Sequence, residues 1–72
     1  MSALTPRQQE IYDEIKLYND RMGRWPYASV IKKICKLSDS TFWITFKRMK
    51  EKGFVEYAGD FENGKSRQVK VL

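Results

Sequence analysis

Leu37-Ser38-Asp39-Ser40-Thr41-Phe42-Trp43-Ile44-Thr45-Phe46-Lys47-Arg48-Met49-Lys50-Glu51-Lys52-Gly53, residues 37–53, is the stretch whose periodicity decides the fold. Ser38 or Asp39 supplies a helix cap and Gly53 a stop, which predicts a helix over about 39–52. Phe42, Phe46 and Met49 recur four and three residues apart and so share one face, with Thr45 beside them. Stepping 100° per residue from Phe42 puts Ser40, Ile44 and Lys47 on the opposite side, with Trp43 and Arg48 on the flanks. The helix is therefore expected to bury its phenylalanines and to hold serine, isoleucine and lysine outward.

Upstream, Leu37-Ser38 reads as a tight turn preceded by a short helix over about 28–36. Ile31, Ile34 and Cys35, with Val30 alongside, form its expected inward stripe, and Lys32, Lys33 and Lys36 fall outside it. Pro26 in Arg24-Trp25-Pro26-Tyr27 cannot continue a helix. Before it, Thr5-Pro6-Arg7-Gln8 carries a capping box and a proline at the first helical position. Ile11, Ile15, Tyr18 and Met22 then share one face, and Gly23 suits a C-cap, giving a helix over about 6–22. Tyr12, Tyr18, Trp25 and Tyr27 are read as packing around it.

Downstream the period changes. Phe54-Val55-Glu56-Tyr57 and Gln68-Val69-Lys70-Val71-Leu72 read as strands over about 54–58 and 67–72. Asn63-Gly64 between them is a strong turn signal, so the tail is expected to be an antiparallel hairpin with a basic loop end. Phe61 in that loop is expected to fold back on Tyr57, to act as a wedge or to meet a partner.

Seventy-two residues allow one domain, and a chain this short has no room for a large enclosed substrate cavity. There is no histidine, no glycine-rich phosphate loop and no carboxylate pair in a plausible cleft, so neither an enzyme nor a cofactor or metal is expected. Asp13 and Glu14 read as surface charge. No apolar run is long enough for a membrane span and the start is polar, unlike a signal peptide. One cysteine cannot form an internal disulfide, and a cytoplasmic location is expected. Cys35 itself reads as an apolar core filler, with a redox thiol as the alternative. The net charge is +5 and its position matters more than its size. Residues 24–53 hold Arg24, Lys32, Lys33, Lys36, Lys47, Arg48, Lys50 and Lys52 against Asp39 and Glu51, while residues 1–23 are slightly acidic and residues 54–72 balance. Such a field attracts a polyanion, or else serves as a solvated face.

The expected fold class is α+β: a three-helix winged helix-turn-helix with a C-terminal two-stranded antiparallel wing. In such a unit the outer face of the second helix of the pair enters the major groove of double-stranded DNA, and basic side chains and helix ends hold phosphates. The candidate DNA-binding residues are Ser38, Ser40, Thr41, Trp43, Ile44, Lys47 and Arg48, with Lys65, Ser66 and Arg67 on the wing. Each has a plainer reading: Lys47 and Arg48 as solvated helix surface, and Trp43 as an interface anchor or a partly buried core residue.

Leu4-Thr5-Pro6-Arg7-Gln8-Gln9-Glu10-Ile11-Tyr12 resembles the opening of the DNA-binding domain of LexA-type repressors. Gly23 and Pro26 are similar to that family's loop after its first helix, Lys52-Gly53-Phe54-Val55-Glu56 to its step into the wing, and Ser66-Arg67 with Val69 and Val71-Leu72 to its second wing strand. The resemblance covers nearly the whole chain and implies repression by operator binding. It also implies differences. The family's dimerising, self-cleaving domain would follow where this chain stops, so self-cleavage is not expected, and Ala58-Gly59 resembles its cleavage dipeptide only by coincidence. The wing is longer, and Trp43 and Ile44 replace polar and acidic positions, so the family's operator does not carry over. The alternative function is a protein-interaction module, an adaptor or anti-repressor, using the Trp43/Ile44 face. A protein partner or a weak homodimer remains open beside DNA.

Overall fold

The computed structural model describes residues 4–58 and 67–72. It opens on the expected capping box: the Gln8 backbone N–H donates to Thr5 Oγ1 at 3.2 Å, and the Thr5 N–H donates to Gln8 Oε1 at 3.1 Å. Helix α1 runs Pro6–Met22 and ends on Gly23, whose left-handed φ of 71° turns its N–H onto the Asn19 carbonyl. Helix α2 runs Ala28–Cys35 and α3 runs Asp39–Glu51. Strands β1, Val55–Ala58, and β2, Gln68–Val71, pair antiparallel with Val55 opposite Val71 and Tyr57 opposite Val69. Three helices followed by a two-stranded wing form the α+β winged helix-turn-helix layout. The ends fall within a residue of expectation.

Every element contributes to one core. Ile11 and Ile15 come from α1, Ala28, Ile31 and Cys35 from α2, Phe42, Phe46 and Met49 from α3, and Val55 and Val69 from the strands. Three apolar positions depart from expectation. Tyr27, expected to pack around α1, is 50% exposed, and its backbone bridges to Gln68. Met22 is 59% exposed and Ile34 is 46% exposed, although both were placed on inward faces. Met22 lies on the same side of α1 as Ile15, but seven residues, about 10 Å, further along, where the helix overhangs the core. On α2, Ala28 joins Ile31 and Cys35 in the buried arc. That arc is rotated away from Ile34.

The turn between α2 and α3 is closed by Lys36 in the left-handed region, φ 56°. Its N–H bonds the Lys33 carbonyl, and the Leu37 N–H bonds Lys32. A non-glycine residue there costs on the order of 1 kcal/mol, so the turn is held by what surrounds it. Ser38, not Asp39, is the N-cap of α3, its hydroxyl accepting from the Thr41 N–H. Gly53, at φ 84°, then reverses the chain into β1.

Two ties were not visible in the sequence. Tyr27 forms an antiparallel bridge with Gln68; the Ala28 N–H donates to the Arg67 carbonyl and the Val69 N–H to the Pro26 carbonyl. The α1–α2 connection thus extends the wing sheet and fixes the base of β2. Gln8, 5% exposed, also accepts from Lys52 Nζ at 3.0 Å through the same Oε1 that bonds Thr5. One amide therefore caps the start of α1 and holds the end of α3.

Gln8→Ala removes half the capping box and the Lys52 tie together. It is expected to lower the unfolding free energy by about 1–2 kcal/mol in denaturant titration. Gln9→Ala, one residue on and exposed, is expected to stay within about 0.5 kcal/mol.

Candidate nucleic-acid interface

Burial of Phe42 and Phe46, each 0% exposed, sets the rotation of α3. The opposite side consequently faces solvent: Ser40, Lys47 and Arg48 are exposed and Ile44 is 56% exposed. Neither Lys47 nor Arg48 forms an ion pair with a described residue. These four side chains form a polar and basic surface on one helix, with a single aliphatic position within it. Ser38 and Thr41 are exposed at the helix start, but both have local duties. The Ser38 hydroxyl donates to Thr41 Oγ1 at 3.0 Å, and the Thr45 hydroxyl donates to the Thr41 carbonyl. They stand at the helix end that phosphate-binding helices use, with backbone donors already partly engaged.

Trp43 is half-buried. Its ring meets Phe42 edge-on at 5.0 Å, Phe46 at 5.9 Å and Tyr57 of β1 at 6.2 Å. The body of the indole thus belongs to the seam between α3 and the wing, the partly buried reading among the three. Sequence reasoning could not find this seam, because it needs the register that carries Tyr57 to α3.

Several cations of the basic segment are committed within the fold. Lys32 pairs with Asp39 at the first turn of α3, and its ammonium lies 5.9 Å from the Trp43 ring. Asp39 also sits favourably at the positive end of the α3 dipole. Lys50 lies 3.5 Å from Glu56 and 4.8 Å from the Tyr57 ring centroid, bridging helix and wing. Arg67 stacks over the other participant in this seam, its guanidinium 5.2 Å from the Tyr57 centroid. The wing's first described basic residue after the loop is therefore held by an aromatic floor, which the sequence reading missed. The alternation of β2 was the available signal: Arg67 and Val69 share a face, and Val69 sits opposite Tyr57. Lys65 and Ser66, together with Phe61 and the Asn63-Gly64 turn, lie outside the described residues.

Two titrating groups have identifiable environments. The Glu56 carboxyl is held below its ordinary range by the Tyr57 backbone N–H at 2.9 Å, assisted by Lys50 and by Lys70 on the facing strand. Burial pushes the Cys35 thiol up from 9.0 to about 11, with Glu10 and Glu14 adding repulsion against a thiolate. A thiol in that state is a poor nucleophile, which accords with the core-filler reading rather than a redox centre.

No helix among the described residues is long and apolar enough to cross a membrane. No protein-family model and no curated protein matches the chain.

Trp43→Ala is expected to lose about 2–4 kcal/mol of stability, because it opens the seam between α3 and β1. Ile44→Ala, on the solvent side, is expected to change stability by less than about 0.5 kcal/mol; thermal melts of the two variants separate the buried from the presented face. The Cys35 shift has its own consequence. The fold favours the protonated thiol, so this contribution is fully present below pH 9.0 and is lost as pH rises toward about 11. Thiol labelling at pH 8 is expected to be slow in the folded protein and fast in denaturant.

Proposed function

We propose that this chain is a sequence-specific double-stranded DNA-binding transcriptional regulator, repressor-like and of a bacterial or phage cytoplasm. The observation that carries the reading is the solvent face of α3, where Ser40, Lys47 and Arg48 stand exposed around Ile44 and the two cations have no internal counter-ion among the described residues. A helix of this kind matches the width of the B-DNA major groove, about 12 Å, in which base edges present distinguishable donors and acceptors. In this reading Ser40 and Thr41 contact base edges or adjacent phosphates. Ile44 packs on a thymine methyl, and Lys47 and Arg48 neutralise the backbone. Arg67, fixed over Tyr57 at the base of the wing, reaches the neighbouring phosphates or minor groove.

Further support comes from the resemblance to LexA-type repressors, which runs through residues the fold uses structurally. Gln8 of the opening motif completes the capping box and also holds Lys52, and Gly53 is the left-handed residue that starts the wing. The role proposed here involves no catalytic group and no cofactor. The adaptor reading loses part of its apolar surface, since Trp43 packs inward and leaves Ile44 as the exposed member of the pair.

Fluorescence anisotropy on duplex DNA at two salt concentrations tests the proposal. With about four to six phosphates neutralised, log K is expected to fall with log salt at a slope near −4 to −5. Lys47→Ala is expected to weaken binding several-fold on every duplex and to flatten the slope by about one. Ser40→Ala is expected to change the ranking of sequences instead. An affinity that does not move with salt, or no binding at about 50 mM salt, would overturn the assignment.

A further inference from the structure

Three of the six large apolar side chains left exposed among the described residues, Leu17, Met22 and Ile34, are gathered in one place, whereas Tyr27, Ile44 and Leu72 lie elsewhere. Leu17, 40% exposed, and Met22 from α1 stand beside Ile34 from α2, with Tyr18 half-buried between them. Together with Glu14 and Arg21 they line an open groove of about 120 Å³. None of the lining residues belongs to α3 or to the wing. The groove is therefore separate from the surface proposed for DNA.

Its charges are arranged to suit a copy of itself. Glu14 and Arg21 are seven residues apart on α1, two turns and about 10.5 Å along one face. Leu17 and Tyr18 lie midway between them. When two such helices pack antiparallel about a two-fold axis through that midpoint, Leu17 meets Tyr18, Glu14 meets the copy's Arg21, and Arg21 meets the copy's Glu14. A two-fold contact requires this kind of self-complementarity, because each residue must suit its symmetry mate. The α1 segment carries Arg7, Lys16 and Arg21 against Glu10, Asp13, Glu14 and Asp20, so pairing it does not bring the basic surplus of residues 24–53 together.

We propose that this groove is the contact between two copies of the chain, which associate antiparallel through α1 with Ile34 of α2 at the edge. A specific interface takes about 800 Å² from each partner, near a sixth of the 5020 Å² that the chain exposes. One helix face with a short second helix falls at the lower end of that scale, so a weak pair is expected. The inference does not depend on the DNA reading. For a single recognition helix, a pair supplies the second half-site contact.

Sedimentation equilibrium of the full chain without DNA, up to about 1 mM, tests it. The chain is expected to show a monomer–dimer equilibrium. Leu17→Asp, at a solvent-exposed position, is expected to weaken it at least about tenfold. Glu14→Arg and Arg21→Glu are each expected to weaken self-association about tenfold, because each places like charges across the axis. Mixing those two variants is expected to restore dimers, since one then presents two arginines to the other's two glutamates. Recovery on mixing also separates a lost contact from a damaged fold. A chain monomeric at about 1 mM, a dimer indifferent to Leu17→Asp, or variants that do not recover when mixed would each overturn the proposal. Because DNA is absent throughout, none of these outcomes decides the DNA reading.

Discussion

Burial of Phe42, Phe46 and Met49 under the wing and the first helix is the constraint on which the rest of the molecule depends. All three are fully enclosed. Burying an aromatic or methionine side chain stabilises by about 1.5–3 kcal/mol, so turning α3 by half a revolution would forfeit on the order of 5–8 kcal/mol. That approaches the entire stability expected of a domain this size, about 4–11 kcal/mol. The helix has no affordable alternative rotation. Ser40, Ile44, Lys47 and Arg48 face water as a direct consequence.

Two seams then hold α3 in place along its length. At its C-terminal end, Gln8 receives the Lys52 ammonium through the oxygen that also completes the capping box of α1. On its wing side, Trp43 and Phe46 meet Tyr57, and Lys50 and Arg67 lie over the tyrosine ring. These contacts alter how the basic character of the middle segment should be understood. Lys32 and Lys50 contribute to the field but are engaged with Asp39 and Glu56. Lys47 and Arg48 stand on the outer face without such partners among the described residues. A count of charges treats all four alike, whereas the fold divides them into fasteners and a presented surface.

The first helix shows the cost of a small core. Its apolar pattern continues to Met22, but the buried part ends at Ile15. The short α2 cannot cover a helix of seventeen residues. What overhangs is an amphipathic end, with Leu17, Tyr18 and Met22 beside Ile34 and a glutamate and an arginine at either side. The surplus apolar surface and its flanking charges sit away from α3, so a contact made there leaves the basic helix uncovered.

The sequence by itself determined the three helices, the caps at Thr5 and Gly23, the wing strands and the outward set on α3, and it narrowed the cap of α3 to Ser38 or Asp39. Each depends on interactions within a few residues: a cap reaching three positions along, or a helical period repeated over two turns. Tertiary structure alone decided which apolar residues found cover. Tyr18 and Met22 follow Ile11 and Ile15 at helical intervals, yet only the isoleucines lie beneath the other elements. Ile34 was lost to the inward stripe because Ala28, too small to stand out in a hydrophobic pattern, sets the buried arc of α2. The Tyr27–Gln68 bridge, the Trp43–Tyr57 seam and the Gln8–Lys52 tie join residues roughly 14 to 44 positions apart. Periodicity reports the direction a side chain takes from its own helix or strand. It does not report what has been folded against it, and that depends on the lengths and register of elements distant in the chain.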